Sequence, residues 1–71
     1  MKRDKGIQIE GIVEEALPGL LFRVELAGGG EVLAHLAGKM KINHIRVIPG
    51  DRVIIEMPGL NDRRGRIVRR M

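Results

Sequence analysis

Alternation with a period of two, cut every few residues by glycine and proline, is the feature that most limits what this chain can become. Ile7, Ile9, Gly11 and Val13 alternate with Gln8, Glu10, Ile12 and Glu14. Successive side chains of a strand point to opposite faces, so this spacing reads as a strand with one face buried. Pro18-Gly19 marks a turn. Leu20 to Leu26 reads as a second strand, with Phe22, Val24 and Leu26 on one side and Leu21, Arg23 and Glu25 on the other. Gly28-Gly29-Gly30 makes a flexible turn, and Val32 to Ala37 reads as a third strand, largely apolar on both faces. Residues 38–44, Gly-Lys-Met-Lys-Ile-Asn-His, break the alternation and read as a loop or one short helical turn. Ile45 to Ile48 is a short extended stretch, followed by the turn Pro49-Gly50-Asp51. Arg52 to Met57 is a fourth strand with Val53, Ile55 and Met57 on one face. Pro58-Gly59 and Asn61-Asp62 form a loop, and Arg63 to Arg70 is the last strand, with Gly65 as a weak point or bulge.

Five short strands with one non-strand insert predict an all-β chain. An open sheet of five strands leaves edges that invite aggregation, and closing it into a barrel removes them. The strand count and the insert position fit a five-stranded OB-fold barrel with a short helical turn between strands 3 and 4. An SH3-like barrel is the alternative, and the pattern separates the two poorly. With 71 residues the chain is expected to be a single domain spanning residues 1–71, with residues 1–5 flexible. Such a chain has little volume for a deep substrate pocket and a catalytic shell.

The sequence holds no Ser, Thr, Tyr, Trp or Cys. The usual hydroxyl and thiol nucleophiles are therefore missing, and so are disulfides and thiolate metal sites. No apolar run approaches the roughly 20 residues of a membrane span. The charged start, Met1 to Lys5, lacks the apolar segment of a secretory signal. These features predict a cytosolic protein without enzymatic activity.

The net charge is +4, and its distribution matters more than its size. Residues 6–37 carry Arg23 against Glu10, Glu14, Glu15, Glu25 and Glu31, whereas residues 38–71 carry nine basic side chains against Asp51, Glu56 and Asp62. A basic second half points to a polyanionic partner, nucleic acid or an anionic membrane surface; a merely solvated face of mixed charge is the bland reading. Lys39, Lys41 and Arg46 cluster in and just after the insert, and Arg63, Arg64, Arg66, Arg69 and Arg70 line the last strand. Arginine suits phosphate because its planar fork donates two hydrogen bonds at once. Proteins that hold single strands stack bases on aromatic rings, and the one aromatic here, Phe22, alternates with core positions. Folded RNA read through its backbone and shape is therefore the favoured ligand, with His44 and the arginine planes as the remaining stackers.

Other features are weaker. Met40, flanked by Lys39 and Lys41, either inserts into a partner or caps the barrel end. His35 reads as a core-edge residue and His44 as exposed; two histidines nine apart without a third ligand do not predict a metal site. Glu14 and Glu15 are adjacent on a strand, so they should face opposite sides and not form an acid–base pair. The glycine run at 28–30 precedes Glu31 and lacks a basic residue, so it is not a phosphate cradle.

An ordered set of short pieces carries a family resemblance. Leu17-Pro18, Phe-Arg-Val-Glu-Leu at 22–26, Gly-Lys-Met at 38–40, Ile45-Arg46, Gly50-Asp51 and Gly-Arg-Ile-Val at 65–68 follow one another across residues 7–70. In this the chain resembles the bacterial translation initiation factor one family. The resemblance implies an OB barrel that binds the A site of the small ribosomal subunit, against the decoding region of the ribosomal RNA. It implies blocking of premature tRNA entry, cooperation with the other initiation factors, and no cofactor or small-molecule substrate. The candidate RNA-binding residues are Lys39, Met40, Lys41, Asn43, His44, Arg46, Arg64 and Arg66. The chain departs from the family at His44, near Leu60 and at Arg69, where aromatics are usual, and in the loop 58–62. A monomer in the cytoplasm or a plastid stroma is expected. The alternatives are a general cold-shock-like RNA chaperone and an SH3-like protein–protein adaptor.

Overall fold

The computed structural model describes residues 6–43, 45–59 and 63–71. Strands β1 (Ile7–Leu17), β2 (Leu21–Leu26) and β3 (Glu31–Leu36) are followed by helix α1 (Gly38–Ile42) and strands β4 (Arg52–Met57) and β5 (Arg64–Arg70). They form a closed barrel in the order β1-β2-β3-β5-β4, with β4 returning to β1. The expected five-stranded barrel with a helical turn after the third strand is what the sequence builds. The expectations for residues 1–5, for His44 and for Leu60, Asn61 and Asp62 lie outside the described residues.

One long strand makes closure possible. β1 pairs with β4 through Ile7 to Ile12 and with β2 through Gly11 to Leu17, all antiparallel. The handover falls on Gly11, where a Cβ would stand 2.6 Å from Val24 Cγ1 and 2.8 Å from the Glu25 carbonyl oxygen. Only glycine lets β1 press this closely against β2. β2 and β3 form a hairpin, β4 and β5 pair antiparallel, and a short parallel pairing, Leu33↔Arg64 to Leu36↔Ile67, shuts the wall.

Inward alternation supplies the core. Val13, Phe22, Val24, Val32, Ala34, Leu36, Val53, Ile55, Met57 and Ile67 are all buried, and Met40 and Val47 close over them. Each fully buried aliphatic side chain of this size contributes about 1.5–3 kcal/mol. The third strand is not apolar on both faces in any useful sense: Leu33 is 37% exposed and His35 is exposed. A barrel wall has one interior, so alternate side chains of β3 must meet solvent. His35 is thus an outward residue and not a core-edge one. Ile45 to Ile48 forms no strand; it crosses the barrel end and drops Val47 into the core.

Two bulges correct the sequence reading. The register of β1 on β2 slips between Val13 and Glu15, leaving Glu14 as the extra residue. A bulge turns successive side chains to one face, and Arg23 accordingly reaches both Glu15 and, at 3.8 Å, Glu14. The two carboxylates therefore share a side. The second bulge lies at Val68, between Ile67 opposite Ile55 and Arg69 opposite Ile54. It is not at Gly65, which is buried in register with Ala34. There a Cβ would meet Ile55 Cγ2 at 2.5 Å and Met57 Cγ at 3.0 Å, so Gly65 marks a close approach of β5 to β4.

Candidate nucleic-acid interface

Helix α1 is short and held by packing. Ala37 donates its amide to the Ile67 carbonyl at 2.9 Å, tying the helix start to β5. The amides of Met40 and Lys41 then donate to the Ala37 carbonyl at 3.0 and 3.2 Å. Five residues cannot sustain a helix in water, so its anchor is Met40, which is 1% exposed and plugs the barrel end. Of the two roles expected for Met40, its burial supports capping the barrel end: an apolar side chain there gains more from the core than from solvent. Its burial turns Lys39 and Lys41 outward, and both are exposed. Asn43 caps the helix, donating its amide to the Lys39 carbonyl at 3.1 Å, and is exposed.

Beyond the helix, the Ile45 amide donates to the Met40 carbonyl at 3.0 Å. The Ile48 amide donates to Asp51 Oδ2 at 3.0 Å, and the Asp51 amide returns to the Ile48 carbonyl at 3.1 Å. Extended chain alternates its side chains, so burying Val47 sends Arg46 to solvent.

On β5, Arg64 and Arg66 project outward between the inward Gly65 and Ile67. The Val68 bulge resets the parity, so Arg69 also comes to the outer face, opposite Ile54. Lys39, Arg66 and Arg69 consequently line one groove of about 650 Å³, with Gln8, Gly38, Ile54 and Val68. A neighbouring hollow of about 450 Å³ lies among His35, Arg64, Arg66, Met57 and Pro58. Arg66 and Glu56 border both, and they form an ion pair. Lys41, Asn43 and Arg46 line neither hollow; Lys41 stands exposed on α1, and Asn43 and Arg46 on the connection from α1 to β4.

The other flank carries the opposite sign. Glu25 and Glu31 face each other directly across β2 and β3, and Glu14 and Glu15 crowd Arg23. A hydrogen bond to Glu31 holds the Glu14 carboxyl above its ordinary value, helped by some desolvation and by the charges of Glu31 and Glu25; Arg23 pulls the other way. Glu10 pairs with Arg52 at 3.1 Å. Lys39, Arg66 and Arg69 thus gather where α1 meets β5, whereas Arg63 and Arg64, where β5 begins, border a hollow with Glu31 and Arg23 of the β2–β3 hairpin.

Nothing in the sequence distinguishes Arg69 from the other arginines of the last strand as a groove residue. Its facing depends on the Val68 bulge, for which no residue nearby gives a signal. Among the described residues no three potential ligands converge to hold a metal ion, and no helix is long and apolar enough to cross a membrane.

Comparison with known proteins points one way. The solution structure of translation initiation factor IF-1 from the Wolbachia endosymbiont strain TRS of Brugia malayi is 40% identical, with a TM-score of 0.77 over 99% of this chain and 83% of that one. The crystal structure of YjeQ from Thermotoga maritima is 26% identical with a TM-score of 0.73, over 92% of this chain and 23% of that one. The family model for translation initiation factor 1A / IF-1 matches residues 1–71. The chain therefore belongs to the translation initiation factor 1A / IF-1 family.

Proposed function

We propose that this initiation factor works by occupancy. It binds the A site of the small ribosomal subunit through ribosomal RNA in the decoding region, keeps tRNA from entering prematurely, and acts alongside the other initiation factors. No bond is made or broken. One observation carries the RNA part of this reading: Lys39 on α1 and Arg66 and Arg69 on β5 meet in one groove, though some thirty residues separate them in sequence. Lys39 and Arg69 on the same rigid wall suit the phosphates of folded RNA, while Glu56 in the same groove competes for Arg66. Arg64 lines the neighbouring hollow with Arg66, and Lys41 and Arg46 add exposed positive charge. Phe22 is buried, which removes the stacking platform that a chaperone of single strands needs.

Chemical footprinting of purified small subunits, with and without the protein, tests the assignment. Protection of the decoding region is expected; protection elsewhere, or none, refutes it. Arg46→Ala should weaken subunit binding about four- to six-fold at roughly 0.15 M salt, the value of one phosphate contact in the counterion-release treatment. The melting temperature should not change.

A further inference from the structure

Arg70 belongs to the arginine-rich end of the chain, but its guanidinium is already engaged. Nη1 donates to the Arg46 carbonyl oxygen at 2.8 Å, across 24 residues of sequence. The two ends of this bond differ in rigidity. Arg70 is in the β4–β5 ladder opposite Val53, and the next residue, Met71, donates its amide to the Arg52 carbonyl at 2.8 Å. Arg46 lies in the Ile45–Ile48 stretch, which has no strand partner. That stretch is tied at Ile45 and at Ile48, and between them by the buried Val47 side chain and by Arg70.

We infer that Arg70 is a positioning residue: it holds the Arg46 peptide so that the Arg46 side chain is presented to RNA, and does not itself contact phosphate. This rests on the reading above that Arg46 touches RNA. In extended chain the carbonyl and the side chain of a residue leave the backbone along different, fixed directions, so fixing the carbonyl fixes where the side chain starts. A donor on a paired strand does this at a distance, and a charged donor makes the stronger bond. The inference also divides the arginines by task, since a side chain spent on a backbone carbonyl is withdrawn from the phosphate-binding set.

A double-mutant cycle on the full chain, binding purified small subunits at several salt concentrations, tests it. Arg46→Ala is expected to weaken binding about four- to six-fold near 0.15 M salt, and Arg70→Met about three-fold. The double variant should bind as Arg46→Ala does, with the same salt slope, because Arg70 has nothing left to position. A further loss of about three-fold in the double variant, with a slope shallower by about 0.7–0.9, means that Arg70 makes its own phosphate contact and overturns the inference. If neither single variant affects binding, the interface reading itself fails, a result the additive outcome does not produce. The free protein gives an independent readout. In Arg70→Met, backbone amide resonances of residues 45–48 should move while those of Lys39 and Arg64 stay. Unmoved resonances at 45–48 overturn the inference. Should Arg70→Met fold poorly, Arg70→Gln, whose shorter stem does not reach the carbonyl, is read by the same resonances.

Discussion

Removing an acidic side chain from the basic flank should make the protein bind more tightly and more salt-sensitively. Lys39, Lys41, Arg46, Arg64 and Arg69 are in no ion pair among the described residues, whereas Arg66 is held by Glu56. Five phosphate contacts predict a slope of log affinity on log salt of about −3.5 to −4.5, or two to three decades lost between about 50 and 200 mM. Glu56→Gln keeps the volume and an acceptor oxygen but removes the charge that Arg66 neutralises. One more guanidinium becomes available, and the slope should steepen by about 0.7–0.9. Near 0.15 M salt one added contact is worth about four- to six-fold in affinity on the same treatment. The cost to the fold is small: Glu56 is 13% exposed but Arg66 is half exposed, and such pairs contribute about 0–1 kcal/mol. The assay is titration of labelled protein onto purified small subunits at four salt concentrations, with thermal melts of both forms. Unchanged or weaker binding by a well-folded Glu56→Gln refutes the claim that this ion pair keeps Arg66 from phosphate.

Three further outcomes follow from the geometry. Met40→Ala should cost about 2–5 kcal/mol in urea denaturation, since it empties the barrel end. Its salt slope should be unchanged while it is folded, and a binding defect at full stability would mark Met40 as a contact. Gly65→Ala should destabilise by about 1–3 kcal/mol, because the new methyl lands on Ile55; a neutral result would mean that β4 and β5 can part cheaply there. Glu31→Gln concerns pH. Glu14 has a raised value in the fold, so the folded chain holds its proton more tightly than the unfolded one. The stability this proton brings is present below the ordinary carboxylate range and is lost as pH rises through the raised value. Removing the Glu31 charge should therefore raise the melting temperature at about pH 7, with the gain fading towards about pH 4. An equal gain at both refutes the electrostatic cause.

Strand count, strand faces and the insert could be read from spacing, because inward positions must be apolar and Gly and Pro mark the turns. Val53, Ile55 and Met57 needed nothing more. The insert's loop-or-helix ambiguity was real, since a five-residue helix depends on Met40 finding the barrel end, and that is a tertiary fact. The facing of Glu14 and Arg69 was not legible either. Each follows a bulge set by how a strand is matched to its neighbour, which leaves no mark in a single strand's alternation. His35 failed for a related reason: apolar neighbours on both sides suggest burial until the closed wall fixes which side is inside. The basic flank was legible as a composition bias, but the groove was not, because it needs α1 docked on β5.

The parallel seam of the barrel is short: four residues of β3 meet β5. Its partners lie some thirty residues apart in sequence, and α1 sits in the crossover between them. Joining distant segments through so few pairs leaves this seam weakly held and prone to local opening. Anything gripping Lys39 together with Arg69 staples it shut. Ribosome engagement should then slow amide hydrogen exchange along β3 and β5 more than within the β1–β2 hairpin.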